Sequence, residues 1–295
     1  MTIDVHTHVF PPAVIVRREK LLATEPAFAE IYTDPSAKMA TADDVLASMD
    51  EAGVDRSVIA NFAWADPALI DETNEYIINA ALRAKGRLLP FVSLHLERQA
   101  GHGGYAADEP VDAKTGDPRL IIRQLASAGA RGIGELRPAS SGYNLANSDE
   151  ADLLVWAALA FDLALLLHVS EPVGHAYPGK EGLPLEQLVG FTRNAPGVVI
   201  IAAHWGGGLP FYTLMPEVRQ ALAHTSFDTA AGHLLYDAKV YRAAIELVGV
   251  ERILFGSDFP LTSQAKALER VREAGLTDEE AAAITGGNAV RLLGL

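Results

Sequence analysis

Short apolar runs recur along the chain, each followed by a longer stretch whose apolar positions return every three or four residues. The first run is Ile3-Asp4-Val5-His6-Thr7-His8-Val9-Phe10, in which Ile and Val alternate with polar residues as in a strand. Period-two alternation sends Asp4, His6 and His8 to one face. Further strands are expected at Ser57–Phe62, Leu88–Leu96, Arg131–Leu136, Leu163–Val169, Val198–His204, Ser226–Thr229 and Arg252–Asp258. Helices are expected from an N-cap at Thr41 to about Ala52, and over Pro67–Lys85, Leu120–Ala128, Ser148–Phe161, Leu185–Asn194, Pro210–Ala223 and Asp237–Val248. The end, from Ser263, also reads as helical. Pro11–Ala40 holds Pro12, Pro26 and Pro35 without a clean period, which predicts a loop with some helix. Strands alternating with helices over this length describe one domain, 1–295, folded as a parallel (β/α)8 TIM barrel with extended βα loops.

Composition narrows the chemistry. The formal net charge of −14, with no Lys/Arg-rich block, argues against nucleic-acid binding. The chain has no cysteine, so a metal could be held only by His, Asp or Glu. The most apolar region, Leu153–Val169, is broken by Asp162 and falls short of the ~20 apolar residues a membrane span needs. With no signal peptide visible either, the expected location is the cytoplasm.

In such barrels the chemistry sits where the strands end. His6 and His8 end the first predicted strand, Glu135 lies near the end of the fourth, and His168 ends the apolar part of the fifth. His204 ends the sixth, ahead of Trp205-Gly206-Gly207-Gly208, and Asp258 ends the eighth within Gly256-Ser257-Asp258-Phe259-Pro260. Imidazoles two apart on a strand can grip one metal ion through neutral nitrogens. Core packing does not account for His or Asp at the same end of so many apolar runs.

These motifs, with the closing Gly287-Asn288-Ala289-Val290-Arg291-Leu292-Leu293, resemble the amidohydrolase superfamily along the whole chain. The nearest branch is that of small metal-dependent hydrolases and decarboxylases related to aminocarboxymuconate-semialdehyde decarboxylase. The resemblance implies that His6, His8, His168 and Asp258 ligate one divalent metal, most simply Zn²⁺ with Mn²⁺ as the alternative. It implies that His204 is a catalytic histidine beside the metal, and Asp258 can accept a proton from metal-bound water while ligating. Glu135 resembles the fourth-strand carboxylate of the TatD-type deoxyribonuclease branch, where it helps hold a second metal. The alternative is a carboxylate that orients the ligands or the substrate. Relatives are often dimers, so a homo-oligomer is expected.

Arg137 is placed to pair with a substrate carboxylate. His175, Tyr177 and Lys180, on the loop after the fifth strand, and Trp205 are expected as further substrate contacts. Gly174–Lys180 has phosphate-loop spacing, but Glu181 stands where Ser or Thr is needed. His95 and His102 are secondary candidates on the same side. The leading functional expectation is a metal-dependent hydrolase acting on a lactone, ester or amide of a small molecule. The alternatives are non-oxidative decarboxylation of an unsaturated or aromatic acid, and a non-catalytic ligand-binding barrel.

Overall fold

A computed structural model describes residues 1–94, 117–137, 144–146 and 148–295. Eight parallel strands run in sequence order: β1 (Ile3–His8), β2 (Arg56–Ala60), β3 (Leu88–Val92), β4 (Gly132–Leu136), β5 (Ala164–Leu167), β6 (Ile200–Ala202), β7 (Thr225–Asp228) and β8 (Ile253–Leu254). The expected (β/α)8 architecture is therefore present. The seam between β8 and β1 is closed by backbone bonds: Val5 N donates to Phe255 O (2.9 Å) and Asp258 N to His6 O (2.9 Å). His8 N donates to Phe259 O at 2.7 Å, just beyond the end of β8.

Two apolar layers fix which way each strand faces. Ile3, Val5, Val58, Ala60, Leu89, Phe91, Leu166, Ile201 and Leu254 fill the barrel. Ile59, Ile133, Leu136, Leu165 and Leu167 face outward into the helices. Paired positions therefore read the facing of every polar residue on the strands, and here the period-two reading of β1 fails. Asp4 pairs with Ser57 and Thr7 with Ile59, so β1 spends one more residue than β2 over the same span. That bulge turns Asp4 outward, where its carboxylate accepts from Gln264 Nε2, while Val5 and His6 both turn inward. β4 repeats the device: Ile133 pairs with Leu165 but Leu136 with Leu167, and the additional residue brings Glu135 inside. Bulges beside active sites commonly re-aim a side chain in this way.

Pro11–Ala40 is more ordered than expected. It contains helices Pro12–Val16, Arg18–Thr24 and Pro26–Tyr32, two of which begin with Pro at the first helical position. There the missing N–H costs nothing and the fixed φ favours the helix, so these prolines start structure instead of breaking it. Phe28 and Tyr32 stack at 4.6 Å and pack with Phe10, Phe62 and Trp64 into a separate apolar cluster. The single helix expected over Pro210–Ala223 is instead two, Leu209–Tyr212 and Pro216–Ala221, since Pro216 opens a second one. The predicted loop over 97–117, with His95 and His102, lies almost wholly outside the described residues. No helix among the described residues is long and apolar enough to cross a membrane.

Candidate metal centre and active site

The strand ends bring His6, His8, Glu135, His168, His204 and Asp258 around one point at the bottom of a cavity of about 520 Å³; all but the fully buried His6 line the cavity. His6 Nε2 and His8 Nε2 are 3.1 Å apart, and Asp258 Oδ1 lies 3.7 and 3.5 Å from them. Ligand atoms on metal bonds of about 2.1 Å are separated by roughly 3.0–3.4 Å in octahedral or tetrahedral geometry, close to these spacings. Glu135 sits at the hub. Its Oε1 is 3.0 Å from His168 Nδ1, 3.4 Å from His204 Nε2 and 3.5 Å from His6 Nε2, and its Oε2 is 3.4 Å from His8 Nε2. Among the described residues, two groups have metal-binding spacing: His6, His8 and Asp258; and His6, Glu135 and His204.

The outer ring nitrogens decide what the inner ones offer. His6 Nδ1 donates to the Asp228 carboxylate at 2.9 Å, so neutral His6 presents a lone pair on Nε2. His204 Nδ1 faces the Ala230 carbonyl at 3.2 Å, and a carbonyl can only accept, so Nε2 is again the lone-pair atom. For His168 the roles reverse. Its Nε2 donates to Gly179 O at 2.9 Å, leaving Nδ1 as the lone-pair atom, 3.0 Å from Glu135 Oε1. Lone pairs and carboxylates thus converge on one centre, and they are stable together only with protons or a cation among them. Protonation shows the same demand. Burial opposes the charged form of His6, yet Glu135 and Asp228 hold it well above its ordinary range. Burial also opposes His204, but Glu135 and Asp258 lift it to about 9. Burial would raise Glu135, and the surrounding His168 and His6 draw it well below the carboxylate range. The donor set fits a divalent cation taking the place of those protons.

Local sequence explains how each group is delivered. From His204 to Gly208 the chain is left-handed, with φ of 56° at His204 and 57°, 58° and 59° through Gly207. Side chains rarely tolerate that region, and the glycines have a second reason to be there. A Cβ on Gly206 would lie 2.8 Å from the Phe227 ring, and one on Gly207 2.6 Å from Ser170 O. Asp258 is likewise left-handed (φ 63°), held by Ser257, whose N and Oγ both donate to the Asp4 carboxylate.

Asp228 and Asp4 were not among the expected site residues. Asp228 Oδ1 accepts from the backbone N–H of His204 and of Ala230 while its other oxygen holds His6. Its place at the end of β7, level with the turn where His204 follows β6, was the available signal, but Thr225-Ser226-Phe227-Asp228 carries no apolar run to mark it. Of the expected substrate contacts, Arg137, His175 and Tyr177 line the cavity, and Lys180 and Trp205 do not. The Lys180 ammonium is spent on its own loop, donating to Val173 O and His175 O. Trp205 is directed backwards by the left-handed turn and packs edge-on against Tyr241 at 4.9 Å.

The chain belongs to the amidohydrolase family, whose model matches residues 3–295. No curated protein matches its sequence. Its fold is similar to that of 5-carboxyvanillate decarboxylase from Sphingomonas paucimobilis, with a TM-score of 0.74, 16% identity and coverage of 100% of this chain and 99% of that one. It is also similar to a dihydroxybenzoic acid decarboxylase from Polaromonas sp. JS666 with bound manganese and 2-nitroresorcinol (TM-score 0.70, 15% identity, 100% and 97% covered). A third is a putative 2-pyrone-4,6-dicarboxylic acid hydrolase from Pseudomonas putida (TM-score 0.65, 18% identity, 99% and 97% covered).

Proposed function

We propose that this chain is a divalent-metal-dependent carboxy-lyase that removes CO2 non-oxidatively from an aromatic or unsaturated carboxylic acid. This places decarboxylation ahead of the hydrolysis expected first. The observation that carries the reading is the cavity itself. Its walls are largely flat or apolar, with Ile31, Tyr32, Phe62, Ala63, Leu234 and Leu261, while its charged groups are the imidazole–carboxylate centre and Arg137, with Asp34 and Lys38 also lining it. A planar acid fits such a pocket with its carboxylate toward the centre and its ring against the walls. The family supports an enzyme of this kind, and the decarboxylases similar in fold act, by their names, on aromatic acids.

His6, His8, His168 and Asp258 would hold the metal, for which Mn²⁺ and Zn²⁺ are both candidates. When bound it would supply, beside Arg137 and Lys38, the positive charge that anchors an anionic substrate at the centre. The chain's own groups carry the rest. Breaking the ring–carboxyl bond leaves its electron pair on the ring carbon, which must take up one proton. His204 faces the cavity through Nε2, with Nδ1 fixed on Ala230 O, and is placed to hold and deliver that proton. Arg137 is buried, with Nε on Glu181 O, Nη2 on Glu30 and Nη1 without a hydrogen-bond partner among the described residues. An acceptor oxygen on the substrate would satisfy that nitrogen, whose isolation otherwise costs about 1–3 kcal/mol.

The test is to load the protein with Mn²⁺ or Zn²⁺, incubate it with hydroxylated and carboxylated benzoates, and follow CO2 and the proton-substituted product. Release of CO2 that is lost in His204→Asn supports the reading. A metal-loaded protein that releases none, yet hydrolyses lactones or esters, would overturn it. Hydrolysis is kept as the second reading for one observation: Glu135 lies within 3.5 Å of ring nitrogens of His6, His168 and His204, where it would help hold a second metal.

A further inference from the structure

Glu30, on the helix Pro26–Tyr32, grips two groups that line the cavity, Arg137 and Gly179. Glu30 Oε2 accepts from Arg137 Nη2 at 2.8 Å, and its Oε1 accepts from the backbone N–H of Gly179 at 3.0 Å. Gly179 O, one peptide unit further, accepts from His168 Nε2 at 2.9 Å. Arg137 completes the clasp by donating through Nε to Glu181 O at 2.8 Å. One surface helix, the end of β4 and the loop after β5 are thereby joined at a single carboxylate.

We propose that Glu30 is a positioning residue for the centre: by docking Gly179 it fixes His168 in the tautomer that presents Nδ1 to the metal, and it sets the wall formed by the loop after β5. His168 needs an acceptor at Nε2 to keep its proton there, since a neutral imidazole carries only one N–H. The other group near Nε2 is Ser170 Oγ at 3.2 Å, a hydroxyl that can donate as well as accept and so selects neither tautomer. The carbonyl of Gly179 selects one, against Glu135 Oε1, an acceptor 3.0 Å from Nδ1 that favours the other until a cation lies between them. Gly179 has φ 87°, and its N–H is held by Glu30 while its carbonyl, in the next peptide, is held by His168. The same loop supplies His175, Tyr177 and Pro178 to the cavity, so its docking also shapes the substrate side. Arg137 keeps the Glu30 carboxylate aimed at Gly179, and as a planar fork it does so with little freedom to swing away.

The inference rests on the reading of His168 as a ligand, so the experiment tests both links. Mn²⁺ affinity is measured by titration calorimetry on wild type, Glu30→Ala, Glu30→Gln and His168→Ala. Long-range ¹H–¹⁵N spectra of histidine-labelled, Zn²⁺-loaded protein report the His168 tautomer. Partners beyond the ligands typically contribute 10–100-fold to metal affinity. The expected result is about tenfold weaker binding in Glu30→Ala with the appearance of the Nδ1–H tautomer. Glu30→Gln, which keeps an acceptor oxygen for Gly179, should recover most of the affinity. Wild-type affinity and tautomer in Glu30→Ala, with binding lost in His168→Ala, would overturn the clasp alone. Wild-type affinity in His168→Ala would overturn the ligand reading beneath it. Thermal unfolding of each variant separates these outcomes from a loss of fold.

Discussion

Asp228 does at one residue what the centre needs at three places. It orients the His6 ring through Nδ1 and holds the backbone N–H groups of His204 and Ala230. Replacing it with Ala leaves those donors buried without a partner and frees both imidazoles to rotate. Asp228→Ala should therefore bind Mn²⁺ 10–100-fold more weakly by calorimetry, and an unchanged affinity would remove Asp228 from the site. Gly207 bears on the same turn by shape alone. An alanine there would require a left-handed side-chain residue (φ 59°) and push Cβ to 2.6 Å from Ser170 O, a backbone atom that cannot swing aside. Gly207→Ala should cost about 2–3 kcal/mol in urea unfolding, in the range of backbone strain plus overpacking. A cost below about 0.5 kcal/mol would mean that the turn relaxes easily. Much of this was legible as residue types: His6, His8, Glu135, His168, His204 and Asp258 could all be named from the ends of apolar runs. What each atom does could not, because tautomers are chosen by carbonyls and carboxylates far away in sequence, such as Gly179, Ala230 and Asp228.

At the scale of elements, regular periodicity located the strands, and two departures from it built the site. Counting by twos along β1 puts Asp4 with the histidines, yet the bulge before Thr7 sends Asp4 out to Gln264 and His6 in. A bulge leaves no mark in an apolar pattern and shows only in the register against a neighbour. The prolines of 11–40 misled for a related reason, since proline can begin a helix as well as break one, and only the packing of Phe28 and Tyr32 distinguishes the two. The helix Ala42–Ala52 is the opposite case, written entirely in local sequence. Thr41 Oγ1 accepts from Asp44 N and the Asp44 carboxylate accepts from Thr41 N, a reciprocal cap. Thr41→Ala should lower stability by about 1 kcal/mol in urea unfolding while leaving metal affinity unchanged. A change in affinity would show that this helix is coupled to the centre, which no contact of the cap suggests.

Across the whole molecule, the centre and the barrel seam are one structure. Asp4, between β1 and the β8 end, accepts from His6 N (3.1 Å), Ser257 N (3.0 Å), Ser257 Oγ (2.5 Å) and Gln264 Nε2 (2.8 Å). It is fully buried, and burial lifts its carboxyl to about 6 against those bonds. The strands that meet at this seam also carry His6, His8 and Asp258, while His168, Glu135 and His204 come from β4 to β6 on the far side. A cation bound by both halves would tie them across the barrel, and it would bind the folded state alone, because no short stretch of the chain holds the full set. Ligand binding of that kind adds RT ln(1 + [L]/Kd), about 2.7 kcal/mol at a hundredfold excess over Kd. For a domain of this size that amounts to a rise of a few degrees in the unfolding midpoint. Saturating Mn²⁺ or Zn²⁺ should thus raise the midpoint of chelator-treated protein, and the rise should shrink in His8→Ala and in Asp258→Ala. Asp4→Ala should lower the midpoint with and without metal, since the seam it closes exists in both. If neither ion shifts the wild-type midpoint, the converging imidazoles and carboxylates are held together by protons alone, and the metal-dependent reading of the site falls.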